Sequence, residues 1–152
     1  ATCGGRMMWF DKQHPLALYL DNREIADVEL CDGRHFSVRP DIVADFTALP
    51  FPDCSFFLVV FDPPHLVRAG EASYTAVKYG RLDPDWRTTL RAGFRECMRV
   101  LRPGGTLIFK WSEHQIPVKD VLEAIGGTPL FGHRSGRASK THWMVFMRGE
   151  ER

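Results

Sequence analysis

The apolar run from Phe56 to Phe61 stops at Asp62-Pro63-Pro64-His65, and this junction constrains the fold more than any other stretch of the chain. Residues Phe57 to Phe61 read as a strand. Two consecutive prolines lack amide donors and cannot continue a central strand, so the chain must leave the sheet there. At six residues the run is also the longest uninterrupted apolar segment, too short to span a bilayer.

The rest of the chain repeats the theme of short strands that end on acids. Leu16 to Leu20 reads as a strand buried on both faces and closed by Asp21. Val28 to Leu30 and Phe36 to Val38 flank Asp32-Gly33, a hairpin signal because glycine tolerates the positive φ of a tight turn. Ile42 to Ala44 is a further short strand ending at Asp45. The stretch from Leu66 to Leu82 reads as a loop with a helical turn. Asp83-Pro84 resembles an N-cap with proline at the first helical position. Trp86, Leu90, Phe94, Cys97, Met98 and Leu101 then recur at helical spacing, and Pro103-Gly104-Gly105 is expected to end that helix. A strand over Thr106 to Trp111, a helix from Pro117 to Ile125 stopped by Gly126-Gly127, and strands near Leu130-Phe131 and His142 to Met147 complete the reading. The last two lie close enough in sequence to pair antiparallel. Strands alternating with helices or loops predict an open α/β sheet, which binds ligands at the carboxyl ends of its strands.

A chain of 152 residues suits one compact domain. Hydrophobic residues at 44% and charged residues at 26% are the balance of a soluble globular protein. Twenty Lys and Arg against 19 Asp and Glu give a formal net charge of +1, which excludes a grip on nucleic acid through bulk charge but not through local basic loops. The four cysteines are widely spaced and the six histidines form no metal pattern, so reduced thiols in a cytoplasmic protein are expected, with no metal.

Four features fall at successive strand ends. The Gly4-Gly5 turn lets backbone approach a ligand closely. Asp21 can accept hydrogen bonds from ribose hydroxyls. Asp45-Phe46 pairs an acid able to accept an adenine amino proton with a ring able to stack. Asp62-Pro63-Pro64-His65 is the fourth. Each alone is weak; their order along a parallel-type sheet is specific.

In this combination the sequence resembles the class I S-adenosylmethionine-dependent methyltransferases. The resemblance rests on Ala1-Thr2-Cys3-Gly4-Gly5-Arg6 as the glycine motif, Asp21 as the ribose acid and Ala44-Asp45-Phe46 as the adenine contact. Asp62-Pro63-Pro64-His65 is similar to the family's catalytic tetrad, Asp/Asn/Ser-Pro-Pro followed by an aromatic, and Glu96 to Leu107 resembles its helix-turn-strand signature. It implies a Rossmann-like, mostly parallel seven-stranded sheet with a reversed last strand, and S-adenosyl-L-methionine as cofactor, held by Thr2, Cys3, Gly4, Gly5, Asp21, Asp45, Phe46 and Asp62. The chain departs from the family at three points. The glycine motif lacks the Gly-x-Gly spacing, so its loop must take another path. The strand before that motif is expected upstream of Ala1. A hairpin at about 28–38 stands where the family has a crossover helix.

The tetrad resembles those that methylate planar nitrogens. The Asp62 carboxylate and the Pro63 carbonyl would accept the two protons of an exocyclic amine, whose lone pair is otherwise delocalised into the ring. Pro63 and Pro64 would fix the backbone, and His65 would stack on the substrate with a sensitivity to protonation. A flipped base would enter beside the cofactor. Tyr74, Lys78 and Tyr79 in the loop after the tetrad, Arg134, Arg137 and Lys140 near the last turn, and Lys110 and Trp111 at a strand end are the candidate substrate contacts. Arg87, Arg91, Arg95 and Arg99 read as a solvated helix edge. Ser112-Glu113-His114 does not make a hydrolase, since no Gly-x-Ser-x-Gly elbow exists. The expected activity is methylation of an exocyclic amine, adenine N6 in DNA or RNA, with relaxed specificity, as a homodimer or with a partner subunit, and without a membrane. A protein amide or small molecule as substrate, or a non-catalytic cofactor-binding subunit, are the competing readings.

Overall fold

The computed structural model describes residues 2–30, 32–70, 74–136 and 138–149. Ala1, Cys31 and Arg137 lie outside the described residues. Along the chain come β1 (Leu20–Asp21), β2 (Ile25–Glu29), β3 (His35–Val38), β4 (Ile42–Val43), β5 (Phe56–Phe61), α1 (Tyr74–Tyr79) and α2 (Trp86–Val100). Then follow β6 (Leu101–Ser112), α3 (Val118–Ile125), β7 (Phe131–Arg134) and β8 (Thr141–Met147).

The largest sheet has the order β5-β6-β8-β7. β5 runs parallel to β6, with Val59 opposite Leu107 and Phe61 opposite Phe109. β8 is reversed against both β6 and β7, so the late pair is antiparallel and the sheet is mixed. The hairpin forms as β2 and β3, with Gly33 at φ +75° in its turn. β1 and β4 pair in parallel, Leu20 with Ile42 and Asp21 with Val43.

Pleat parity decides where the core sits. Leu101, Leu107, Phe109 and Trp111 point to one face of β6 and are fully buried against Leu90, Phe94 and Cys97 of α2 and Val121 of α3. Ring contacts carry the packing through the sheet, from Phe61 on Phe109 at 5.2 Å to Phe94 on Phe146 at 5.0 Å. Ile108 and Lys110 fall on the opposite face and stay half-buried. No helix among the described residues is long and apolar enough to cross a membrane.

Four expectations are corrected. A single seven-stranded sheet is not seen among the described residues: the strands form a four-stranded sheet and two pairs. Leu16 to Leu20 is not a strand buried on both faces; only Leu20 and Asp21 join the ladder, and Leu16 and Leu18 are exposed. The reason is tertiary: Tyr19 donates its N–H to the Asp41 side chain rather than to a ladder carbonyl, and residues 16–20 and β5 line an open apolar pocket of about 340 Å³. Asp83 does not cap α2, which starts one residue after Asp85; the Asp83 carboxylate accepts the Thr89 hydroxyl at 2.6 Å instead. Pro103-Gly104-Gly105 does not end α2, which stops at Val100. Arg148 Nη1 takes up the carbonyls of Met98, Arg99 and Leu101. Gly104 and Gly105 exchange backbone bonds with Arg148 and carry β6 through that triplet.

Candidate functional site

The residues after β1, β4, β5 and β6 converge on one open cleft of about 910 Å³, a size that suits a cofactor-sized ligand. Its floor is the N-terminal segment. Cys3 donates its N–H to Leu20 at 2.7 Å, Asp62 donates its N–H to the Thr2 hydroxyl at 3.3 Å, and Gly4 donates its N–H to Asp21 Oδ2 at 2.9 Å. Residues 2–4 thereby bridge the ends of β1 and β5. The loop takes positive φ at Thr2, Gly4 and Arg6, the different path that the missing Gly-x-Gly spacing demanded. Burial and the neighbouring Asp21 charge push the Cys3 thiol above its ordinary pKa, so it stays protonated. Gly5 does not line this cleft. A Cβ there would sit 2.9 Å from the Phe36 ring, so Gly5 admits the hairpin rather than a ligand.

Asp21 is the single buried charged side chain among the described residues, 3% exposed. Its Oδ2 accepts from Gly4, and its Oδ1 accepts from Arg23 N–H and Arg23 Nε, both at 3.1 Å. A carboxylate offers about four acceptor positions, so a ribose hydroxyl has one more site to use before it displaces a donor. Arg23 continues to the Val77 carbonyl at 3.1 Å and ties the acid to α1. Asp45 Oδ1 accepts the N–H and the hydroxyl of Thr47, both at 2.8 Å, which turns the chain after β4 and leaves Oδ2 with no donor among the described residues. Phe46 borders the cleft, but its ring is 6% exposed and packs inward, 5.3 Å from Phe61 and hard against Gly93.

The tetrad stands at the carboxyl end of β5, as the proline break requires. Because Phe61 pairs with Phe109, the next residues, Asp62 and Lys110, fall side by side, and Lys110 Nζ donates to Asp62 Oδ2 at 2.7 Å. Burial raises the Asp62 carboxyl above its ordinary pKa, while the Lys110 ammonium pulls it back down. Pro63 is buried and Pro64 half-buried. His65 lies among rings, 5.4 Å from Tyr79, 6.1 Å from His114 and 6.5 Å from Trp111. Burial, helped by the charges of His114 and Lys110, pushes its imidazole down to about 4, so at neutral pH it is an uncharged plane. That places the expected protonation sensitivity well below neutrality.

Of the candidate substrate contacts, Tyr74, Lys78, Tyr79 and Lys110 line the cleft. The loop after the tetrad folds into α1, which presents them together, with Lys78 Nζ 5.3 Å from the Tyr79 ring. Trp111, Arg134 and Lys140 do not line it. Trp111 has the opposite pleat parity from Lys110; it is fully buried and donates Nε1–H to Ile116 at 3.0 Å behind His65. Arg134 pairs with Glu113 at 2.9 Å and Lys140 is exposed on the far turn. Arg137 lies outside the described residues. Sequence reading missed Arg23, His114 and Gln115. Arg23 carried a faint signal, two residues after the strand-end acid. Gln115 accepts the N–H groups of Val67 and Arg68 and returns a bond to Arg68, and nothing in the local sequence announces that pairing.

No protein-family profile matches the chain, and no curated protein does. Solved structures of similar shape include a candidate DNA modification methylase of Thermus thermophilus, 19% identical over 71% of this chain and 52% of that one, with a TM-score of 0.46. Another is the PH0226 protein of Pyrococcus horikoshii, 15% identical over 72% and 58%, with a TM-score of 0.45. A third is a SAM-dependent methyltransferase of Leishmania major, 15% identical over 69% and 44%, with a TM-score of 0.44. The chain spans about half the length of these structures. The functional reading rests on the geometry of the cleft.

Proposed function

We propose that this chain is an S-adenosylmethionine-dependent methyltransferase acting on an exocyclic amine, with adenine N6 of DNA or RNA as the substrate. The observation that carries the reading is the meeting of Asp62-Pro63-Pro64-His65 with Asp21, Asp45 and the Thr2–Gly4 backbone around one cleft. The cleft fits the cofactor in chemistry as well as size. Asp21 and Asp45 are acceptors for hydroxyl and amino donors, each with an acceptor position to spare, and Gly4 leaves open space where a Cβ would stand. When bound, S-adenosylmethionine supplies a methyl group on a sulfonium sulfur, already activated for in-line displacement.

What remains for the protein is position and charge. Asp62 would accept a hydrogen bond from one N–H of the amine and the Pro63 carbonyl from the other, drawing the nitrogen toward tetrahedral geometry with its lone pair directed at the methyl donor. The proton released as the new bond forms passes to solvent through the Asp62 carboxylate. The neutral His65 plane stacks on the substrate ring, and Tyr79 backs it at 5.4 Å. Lys78 and Tyr74 on α1 offer a phosphate contact and a stacking face to a splayed strand.

Methyl transfer from labelled cofactor to separate pools of DNA, RNA and protein tests the reading. Label is expected in a nucleic-acid pool and absent with Asp62→Ala; calorimetric binding of S-adenosylmethionine is expected to vanish with Asp21→Ala while the variant stays folded by circular dichroism. Transfer that survives Asp62→Ala would refute the tetrad's role. Label in the protein pool alone would move the substrate to a side-chain amide, and cofactor binding without any transfer would favour a non-catalytic subunit.

A further inference from the structure

The Asp62–Lys110 pair is more than a neighbourhood contact. The parallel register that sets Phe61 against Phe109 delivers both residues to the same edge of the cleft. Lys110 is held from two sides. Its Nζ lies 2.7 Å from Asp62 Oδ2 and 5.8 Å from the centre of the Trp143 ring, and that ring is itself fixed by Nε1–H donation to Ser135 Oγ at 2.9 Å. Both members of the pair keep about a quarter of their side-chain surface exposed, 26% each, so the pair faces the cleft rather than the core. Asp62 Oδ1 receives no hydrogen bond among the described residues.

We propose that Lys110 is the positioning residue of the site: its ammonium holds Asp62 Oδ2 and sets the carboxylate so that Oδ1 is the oxygen presented to the substrate amine. The identity of that amine's reaction rests on the methyltransferase reading; the hold on Asp62 does not. Two consequences follow from the charges. Lys110 pulls the Asp62 carboxyl back down against the burial that raises it, favouring the ionised acceptor. It also pairs the Asp62 charge, so this edge of the cleft carries no unpaired carboxylate to draw an alkylammonium, and the nucleophile expected here is a neutral amine or amide nitrogen. The titratable and charged groups that line the cleft with Asp62 are Lys110 of β6, His65 on the same loop, His114 after β6, Cys3, Asp21 and Arg23 on the β1 side, Asp45 after β4, Tyr74, Lys78 and Tyr79 of α1, and Arg81 and Asp83 beyond it.

The test uses the full chain with Lys110→Gln, Lys110→Arg and Lys110→Met; the last keeps an aliphatic stem over Trp143 if Gln lowers stability. Carboxyl carbon NMR of labelled aspartate follows the Asp62 titration, calorimetry follows S-adenosylmethionine affinity, and labelled-methyl transfer to DNA and RNA pools follows kcat and KM. Gln and Met are expected to raise the Asp62 midpoint by about one pH unit or more. They should change cofactor Kd by less than about twofold and lower kcat about tenfold with KM nearly constant, with Arg restoring both the midpoint and kcat. An unmoved Asp62 midpoint overturns the proposal, as does a kcat loss that persists in the Arg variant with its midpoint restored. If the wild-type chain methylates nothing, the reading of the reaction falls, and the Asp62 titration alone then decides whether Lys110 holds it.

Discussion

Gly93→Ala asks whether the core behind the cleft is as tight as its geometry implies. Gly93 lies inside α2, where alanine is favoured over glycine by about 1 kcal/mol, so an open site would gain stability. Here a Cβ would stand 2.7 Å from Phe46 Cε2, closer still to Cδ2, and 3.0 Å from Phe61 Cζ, where ordinary contact begins near 3.4 Å. The Phe46 ring would have to retreat by roughly 0.7 Å or more to reach ordinary packing distance. Its retreat is restricted, since it is 6% exposed and packs on Phe61, which in turn stacks on Phe109. Overpacking of this kind costs about 1–3 kcal/mol, and the severity of the overlap places it in the upper half of that range. The net expectation is a loss of about 1–2 kcal/mol after the propensity gain. Urea unfolding should show a lower midpoint with an unchanged slope, and Tm should fall by roughly 2–8 °C for a chain of this length. Phe46→Leu supplies the control, because with the ring gone Gly93→Ala should become neutral or stabilising, a coupling of about 1–2 kcal/mol. A Gly93→Ala protein as stable as the wild type with Phe46 in place would refute the packing argument.

Two further outcomes are expected. His65 titrates at about 4 in the folded chain and near its ordinary 6.5 when unfolded, so the unfolded chain binds the proton more readily. The stability its neutral form contributes is complete above 6.5 and is lost as pH falls from 6.5 to 4. Denaturant midpoints of His65→Asn should therefore decline less than those of the wild type across that window, and equal declines would contradict the assignment. Arg99 departs from the solvated helix edge expected of the arginine stripe: it binds Glu96, Asp53 and the carbonyls of Leu49 and Phe51, pinning the segment after Asp45. Arg99→Met should cost roughly 1–2 kcal/mol in urea unfolding, with less than half recovered by Lys, which cannot fork. Arg95→Met on the exposed side should cost under about 0.5 kcal/mol; equal losses at both positions would refute the distinction.

The elements most legible in the sequence are those whose cause is local. The proline pair after Phe61, the Asp32-Gly33 turn, the helical spacing that begins at Trp86 and the left-handed Gly126 cap of α3 each follow from the conformational limits of the residues present. Elements that depend on a distant partner are not legible there. Leu16 to Leu20 has strand composition, yet a strand needs a neighbour along its edge, and only Leu20 and Asp21 have one in β4. Pro103-Gly104-Gly105 reads as a break, yet Arg148, over forty residues on, satisfies the helix end and draws the triplet into β6. Trp111 was within reach of pattern reasoning. Leu107, Phe109 and Trp111 alternate with Ile108 and Lys110, and that parity already turned the indole away from the edge on which Lys110 stands.

For the cleft, residue type and position relative to strand ends were enough to nominate Asp21, Asp45, Asp62 and His65, because an acid after an apolar strand must emerge at the sheet's carboxyl edge. What each of those groups is bonded to was settled only by tertiary structure. Register across β5 and β6 chose Lys110 as the partner of Asp62, the fold of α1 brought Arg23 from Asp21 to Val77 and Tyr79 to His65, and helix packing buried the Phe46 ring that composition alone would have left free to stack. Sequence carries the chemistry of each side chain and the limits of each backbone step. Which oxygen is occupied, which ring is exposed and which proton is held depend on groups tens of residues away, and only the packed chain sets those distances.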